Sequence, residues 1–156
     1  NIQYSSTDKS RTDVEIAAQA VGAHDFITRL PGGYEFMVDQ RGGNLSLGQR
    51  QLLSFARALV ADTKILILDE ATANVDSYSE MKIQKALNVL LRGRTAIVIA
   101  HRLATVRECD RILVLHHGRL VEQGSHDQLI LQNGLYAGLY RMNYGSFDDL
   151  AIGQND

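Results

Sequence analysis

Two short aliphatic segments limit the folds that this 156-residue chain can adopt. Residues 65–68 read Ile-Leu-Ile-Leu and are followed by Asp69 and Glu70, whereas residues 95–100 read Thr-Ala-Ile-Val-Ile-Ala and are followed by His101. Continuous aliphatic runs of this length predict strands that are buried on both faces, as in a parallel sheet. A helical pattern separates the two runs, and this alternation of strand and helix is typical of an α/β fold.

The rest of the chain predicts further helices and one hairpin. Helical spacing of apolar residues predicts helices over 12–21, 24–30, 46–61, 77–91, 104–109 and 135–142, and Ser125 with Gln128 begins another. In the first of these, Thr12 and Glu15 have the spacing of a capping box. A third strand at 111–115 continues the alternation, and Gly118 turns the chain toward a hairpin partner at 120–122.

The patterning divides the chain into three parts. Residues 1–62 contain helices and loops without a convincing strand, whereas the alternation of strands and helices occupies residues 63–142. The last residues, 143–156, are acidic and weakly patterned, so we expect them to be poorly ordered. The sequence therefore predicts a helical subdomain, then an α/β core and then a C-terminal tail.

Composition excludes several classes of protein. The chain has 16 Lys and Arg against 18 Asp and Glu, and this net charge of −2 argues against a basic nucleic-acid surface or a polybasic membrane patch. A lone Cys109 excludes an intrachain disulfide framework, and no apolar run approaches the roughly 20 residues of a membrane-spanning helix. The chain begins Asn1-Ile2, without Met or a signal peptide, so we expect it to start inside a longer protein.

Polar side chains follow both aliphatic runs, where each predicted strand ends. Ligands of open α/β sheets bind at the carboxyl ends of the strands. Asp69 can hold Mg²⁺ directly or through water, and Glu70 can polarise an attacking water, as a magnesium-nucleotide site requires. Acidic residues where a strand exits into solvent explain the pair equally well, and His101 taken alone favours a structural role.

A second candidate site begins at Ser46. Ser46 and Gln49 have the spacing of a capping box, which explains both residues without a ligand. Gly48 in the first turn costs about 1 kcal/mol relative to alanine. That glycine is expected if a ligand must approach the backbone closely. A helix N-terminus with a serine hydroxyl and free amides suits an anion such as phosphate.

Four segments, in this order, resemble the motifs of the nucleotide-binding domain of ABC transporters. The signature loop corresponds to Leu45-Ser46-Leu47-Gly48-Gln49-Arg50-Gln51. The Walker B strand with its glutamate corresponds to Ile65-Leu66-Ile67-Leu68-Asp69-Glu70-Ala71-Thr72. The D-loop corresponds to Asn74-Val75-Asp76, and the switch histidine with its neighbour corresponds to His101-Arg102. The stretch 118–129 is especially similar to the exporter subfamily. Leu47 departs from the family, which usually has glycine there. The resemblance implies part of a P-loop NTPase (RecA-like) parallel sheet with an ABC-type helical subdomain.

The resemblance also implies roles for individual residues. Glu70 would be the general base, Asp69 would hold Mg²⁺ through water, and His101 would sense the γ-phosphate of ATP. Asp76 would couple the two ATP sites of a dimer. The signature residues would contact the γ-phosphate across that dimer, and they are Ser46, Leu47, Gly48 and Gln49.

Partners and location follow from the same resemblance. Two nucleotide-binding domains would pair head to tail around two ATP molecules, at the cytoplasmic face of the cell membrane, without nucleic acid. The loop at 36–42 would lie near the transmembrane domains, although residues 36–40 depart from the usual exporter pattern. No lysine of this sequence follows the glycine of a G-x-x-x-x-G-K-[ST] motif. We therefore expect the isolated chain to be inactive as an ATPase because it lacks the Walker A loop.

Two other functions fit part of the pattern. An ABC-type ATPase of DNA repair or chromosome organisation uses the same signature and Walker B motifs, and a non-catalytic fragment would only dock to a partner. The acidic balance and the exporter-like stretch at 118–129 favour an exporter motor that couples ATP hydrolysis to transport.

Overall fold

The computed structural model describes residues 1–4, 6, 8–69, 77–100 and 103–144. Its helices are α1 (Arg11–Ala20), α2 (His24–Arg29), α3 (Leu47–Val60), α4 (Ser77–Leu91), α5 (Leu103–Arg107), α6 (His126–Gln132) and α7 (Leu135–Tyr144). Its strands are β1 (Ile65–Asp69), β2 (Thr95–Ile99), β3 (Ile112–His116) and β4 (Arg119–Gly124). Short 3₁₀ turns cover Gly33–Glu35 and Gln40–Gly42. The mixture of helices and a parallel strand pair is an α/β architecture.

The structure divides into two compact units, Asn1–Ile99 and Ala100–Asp156. The first unit thus combines the predicted helical subdomain with the first two strands. The boundaries predicted from composition, after residues 62 and 142, stay predictions. Residues 145–156, most of the predicted tail, lie outside the described residues.

Helix α3 forms the centre of the first unit. It contacts both α1 and α4. Its buried side chains are Leu52, Leu53, Phe55, Ala56 and Val60, which recur at helical spacing and form one stripe. Because this stripe fixes the rotation of α3 about its axis, it also fixes where the first turn of the helix points.

Helix α1 begins earlier than the sequence predicts. Ser10, not Thr12, is the N-cap, and it forms both halves of a capping box with Asp13. The Glu15 carboxylate instead accepts a hydrogen bond from Arg11 Nε at 2.8 Å. The predicted box of Thr12 and Glu15 is therefore wrong, because the glutamate is held by an arginine one turn before it.

Strands β1 and β2 pair in parallel, with Ile65 opposite Thr95 and Asp69 opposite Ile99. The prediction that β1 is buried on both faces is wrong for the described structure. Leu66 is buried, but Ile65 is 66% exposed and Ile67 is 72% exposed. The same prediction is wrong for β2, whose Ile97 and Ile99 are exposed on the same face of the pair. Among the described residues no further strand joins the pair, so its edges are unpaired as well.

The second unit is built on a hairpin. Strands β3 and β4 are antiparallel, as predicted, and both turn residues, His117 and Gly118, have positive φ angles of 48° and 73°. In the described part of the chain β3 pairs with β4 and does not extend the parallel sheet. The buried residues of this unit's core are Ile112, Val114, Leu129 and Tyr136.

Within the described residues, no helix has the length and apolar character needed to cross a membrane.

Candidate functional site

The N-terminus of α3 is closed by the predicted capping box. The Ser46 Oγ accepts a hydrogen bond from the Gln49 backbone N–H at 3.2 Å, and the Gln49 Oε1 accepts one from the Ser46 N–H at 2.9 Å. The Arg50 N–H then donates to the Ser46 carbonyl at 3.0 Å, which is the first bond of the regular helix. The capping prediction for Ser46 and Gln49 is therefore confirmed.

The same turn leaves hydrogen-bond donors available. The Leu47 and Gly48 amides occupy the first two helical positions, where an α-helix offers no acceptor, and they find none among the described residues. Ser46 is exposed, and its hydroxyl can still donate a proton while its oxygen caps the helix. The partial positive charge of a helix N-terminus adds to these donors, so the turn can bind an anion.

Gly48 lies against α4. A Cβ atom built on Gly48 would be 3.4 Å from Ser79 Cβ and 3.8 Å from Ile83 Cδ1, which are ordinary contact distances. The residue is buried by these neighbours, and its backbone is not in the left-handed region. Packing in this structure therefore leaves room for an alanine, and the predicted close approach of a ligand to Gly48 stays a prediction.

Asp69 and the start of α3 border one groove. This groove, of about 460 Å³, lies between α3 and β1, and its lining includes Leu47, Arg50, Gln51 and Asp69. Asp69 is the last residue of β1 and is exposed. None of the salt bridges between described residues involves it. The structure thus brings two of the predicted site segments, the signature turn and the end of β1, to the same groove.

Gln51 also lines this groove and has an unpaired polar atom. Its side-chain oxygen is buried and has no hydrogen-bond partner in the described part of the protein. A buried acceptor without a donor costs about 1–3 kcal/mol. From the sequence, Gln51 could be recognised only as part of the signature segment, because no local pattern reveals which side-chain atoms burial will leave unpaired.

Arg50 is a second residue whose contacts the sequence did not reveal. Its Nη1 atom donates to the Gly42 carbonyl at 3.1 Å and to the Leu45 carbonyl at 3.0 Å. Both acceptors belong to the loop that precedes α3, so Arg50 ties this loop to the helix. Every residue has a backbone carbonyl, so the residue types of the acceptors do not indicate which of them Arg50 binds.

Three predicted site residues, Glu70, Asp76 and His101, lie outside the described residues. Among the residues that the structure does describe, no group of three or more His, Cys, Asp or Glu side chains is placed to hold a metal ion. Of the other histidines, His116 and His117 are exposed at the hairpin turn.

His126, in contrast to His116 and His117, is not exposed. It is half-buried at the start of α6, and its Nδ1 atom is 2.8 Å from the Tyr136 hydroxyl. Burial raises the pKa of the Tyr136 hydroxyl above its ordinary value, and the nearby Tyr140 raises it further. Tyr136 belongs to the core of the second unit.

Comparison with known proteins identifies the family. The family model described as "ABC transporter" matches residues 2–73. An uncharacterized ABC transporter ATP-binding protein of Bacillus subtilis, YknV, is 56% identical over 146 residues, which are 94% of this chain and 24% of that protein. An ATP-dependent lipid A-core flippase of Syntrophus aciditrophicus is 46% identical over 158 residues, which cover 100% of this chain and 26% of the flippase. The chain thus spans about a quarter of the length of the curated relatives it matches.

A solved structure shows the same fold. The structure of a bacterial Atm1-family ABC exporter with ATP bound is similar with a TM-score of 0.80 and 44% sequence identity, over 91% of this chain and 25% of that one. The predicted fold class, part of an α/β P-loop NTPase core with an ABC-type helical subdomain, is confirmed by this likeness. Sequence and fold together show that the chain belongs to the ABC transporter family, as part of an exporter-type nucleotide-binding domain.

Proposed function

We propose that this chain is part of the ATP-hydrolysing motor of an ABC exporter and works at the cytoplasmic face of a membrane. The observation that carries the proposal is the first turn of α3, which has an exposed serine hydroxyl and two amides without acceptors among the described residues. Leu47 of this turn lines the same groove as Asp69. The relatives support it, because they include ATP-dependent flippases and an exporter with ATP bound.

The signature turn is proposed to bind the γ-phosphate of ATP held by a second nucleotide-binding domain. In that role the Ser46 hydroxyl and the amides of Leu47 and Gly48 donate to phosphate oxygens. Gln49 contributes by holding the turn in place, because its side chain is already engaged with the Ser46 N–H. Donors fixed in this way need no rearrangement when the phosphate arrives, which favours binding.

The end of β1 is proposed to serve the metal and the attacking water. Carboxylate oxygens are the ligands that Mg²⁺ prefers, and the exposed Asp69 carboxylate, with no salt bridge to another described residue, fits that role. Bound Mg²⁺ would neutralise charge on the ATP phosphates. Glu70 would accept the proton of the attacking water, His101 would contact the γ-phosphate, and Asp76 would couple the two sites of the dimer.

The loop at 36–42 is proposed to meet the transmembrane domains. Phe36 and Val38 border a cavity of about 180 Å³ in the first unit, together with Tyr34, Leu45 and Leu53. Met37, between the two lining residues of the loop, is 82% exposed. An apolar side chain from a transmembrane domain could fill such a cavity, which supports a contact at this loop.

Two other functions have less support. A DNA-repair or chromosome ATPase would need a surface for nucleic acid, but the net charge of the chain is −2, and the relatives named above are transporters. A fragment that only docks to a partner would have no use for a phosphate-binding turn. We therefore prefer the exporter motor and expect no nucleic-acid partner.

Ser46→Ala in the full-length protein tests the signature assignment, provided that the loss of the helix cap is controlled. Ser125→Ala is the matched control, because Ser125 and Gln128 form the same capping box at α6. Loss of either cap costs about 0.5–2 kcal/mol of stability. We expect Ser46→Ala alone to reduce the kcat for ATP hydrolysis, on the order of 10²-fold for a lost phosphate donor. Equal turnover in the two variants would show that Ser46 is only a cap.

A further inference from the structure

We propose that Arg50 is a positioning residue that fixes the loop 39–45 on the first turns of α3 and so holds the signature turn in its phosphate-binding position. The inference deepens the proposed function and rests on it. Arg50 itself need not touch ATP. Its role is to keep the chain that leads into Ser46 in one place.

The attachment is a two-carbonyl clamp made by one nitrogen of the Arg50 guanidinium. The Nη1 atom donates to the carbonyls of Gly42 and Leu45, at 3.1 and 3.0 Å. The same two residues are joined by a backbone bond from the Leu45 N–H to the Gly42 carbonyl, at 2.9 Å. The guanidinium is part-buried, where a charge-assisted hydrogen bond is stronger than at the surface.

Gly42 fits the clamp in two ways. Its φ angle is +71°, which favours glycine. A Cβ atom at this residue would also lie 2.6 Å from Cδ and 2.9 Å from Cγ of Arg50, closer than real contacts allow. Any side chain at residue 42 would therefore push the Arg50 stem away. The glycine and the arginine interlock.

The loop is braced internally, so the clamp holds it as one body. The Asn44 side chain accepts from the Asp39 N–H at 3.1 Å and donates to the Met37 carbonyl at 2.9 Å. The Gly42 N–H donates to the Asp39 carbonyl at 2.8 Å. Because these bonds join residues 37–44 to one another, they do not connect the loop to α3, whereas the Arg50 bonds do.

The clamp acts next to the phosphate-binding turn. Leu45, one of its acceptors, is buried and directly precedes Ser46. Without the arginine, the two carbonyls lose their donor, and the loop can shift relative to the helix. A shift of this kind moves the Ser46 hydroxyl, and a misplacement of about 1 Å can cost up to about 10²-fold in rate.

Arg50→Met in the full-length protein tests the clamp, because methionine keeps part of the apolar stem but has no donor. Arg57→Met is the matched control. Arg57 lies two turns later on α3 and also binds a backbone carbonyl, that of Asn1, at 3.0 Å, but it does not touch the loop. The first readout is hydrogen–deuterium exchange of the amides of residues 39–46. The second readout is kcat/KM for ATP.

We expect Arg50→Met to speed exchange over residues 39–46 and to lower kcat/KM for ATP by about tenfold, within the range that misplacement of a binding group can produce. Arg57→Met should leave both readouts near wild type, even if it lowers the melting temperature as much. Arg50→Lys should lie between Arg50→Met and wild type, because its ammonium keeps the charge but not the planar fork.

A glycine pair tests the interlock. Gly42→Ala and Gly22→Ala place alanine at the same φ angle of +71°, but nothing lies within 4 Å of the Cβ position at Gly22. Both substitutions strain the backbone, and only Gly42→Ala should speed exchange over residues 39–46 through the collision with Arg50. The double variant Gly42→Ala with Arg50→Met should exchange little faster than Arg50→Met alone, because both changes break the same contact.

The outcomes separate this inference from the proposed function. Unchanged exchange in Arg50→Met would overturn the clamp, whatever happens to ATP hydrolysis. Faster exchange with an equal kcat/KM in the two arginine variants would overturn the positioning of the signature turn. If the wild-type protein did not hydrolyse ATP, the proposed function would fail, and the exchange data alone would still decide whether Arg50 holds the loop.

Discussion

Replacing Gly48 with alanine adds one methyl group and tests whether the glycine is required for packing or for ligand binding. The Cβ of an alanine there would meet Ser79 at an ordinary 3.4 Å, and alanine is favoured over glycine inside a helix by about 1 kcal/mol. We therefore expect Gly48→Ala in the full-length protein to leave the melting temperature unchanged or raised while ATP hydrolysis falls. A parallel loss of stability and turnover would instead make Gly48 a packing residue.

At the scale of single residues, the sequence predicts local contacts and misses distant ones. The Ser46–Gln49 box could be predicted because both partners lie within one helical turn. The carbonyls that Arg50 binds lie in a separate loop, and Ser79, which faces Gly48, lies on the next helix. Such contacts depend on how α3 is rotated and packed, which its own spacing of residues does not specify.

The start of α7 offers a test at the scale of one element. The Glu122 carboxylate, on β4, accepts hydrogen bonds from the Leu135 and Tyr136 amides and so caps this helix. A Cβ atom at Gly134 would lie 2.8 Å from Glu122 Cδ, whereas nothing lies within 4 Å of the Cβ position at Gly138. We expect Gly134→Ala to weaken the cap by about 1–3 kcal/mol.

Native-state hydrogen exchange of the α7 amides in the full-length protein measures this loss. Gly138→Ala is the control, and it should slow exchange slightly, because alanine stabilises a helix where space allows. If Gly134→Ala exchanged as slowly as Gly138→Ala, the carboxylate would have moved aside without loss, and Glu122 would not be the cap.

Element types were more predictable than element surroundings. The aliphatic runs predict β1 and β2, and the turn at Gly118 predicts the hairpin, because these signals are local. The burial of β1 was not predictable, since a strand's own residues do not show what covers each face. Ile65 and Ile67 have the composition of a doubly covered strand, and the described structure leaves them exposed.

At the scale of the whole molecule, we expect the 156 residues on their own neither to bind ATP tightly nor to hydrolyse it. The sequence contains no glycine-rich loop with its lysine, and these groups would supply most of the backbone donors and positive charge around the phosphates. Calorimetry of the isolated chain with Mg-ATP measures this directly. Micromolar binding with turnover would mean that the signature turn and Asp69 suffice by themselves.

The exposed face of the β1–β2 pair affects how the isolated chain behaves in solution. Its exposed isoleucines, with unpaired strand edges in the described structure, favour self-association. Sedimentation of the isolated chain is therefore a necessary control for the calorimetry, because association could hide a weak nucleotide site.

The most direct test of the ATPase assignment is the turnover of Glu70→Gln in the full-length protein, with nucleotide binding measured on the same sample. An amide cannot accept the proton of the attacking water, and loss of a general base typically lowers the rate by about 10²–10⁴-fold. Glu108→Gln removes the same charge at an exposed position of the second unit and should hydrolyse ATP like wild type. The predicted result is ATP binding without turnover in Glu70→Gln alone; turnover close to wild type in that variant would contradict the role of this chain in ATP hydrolysis.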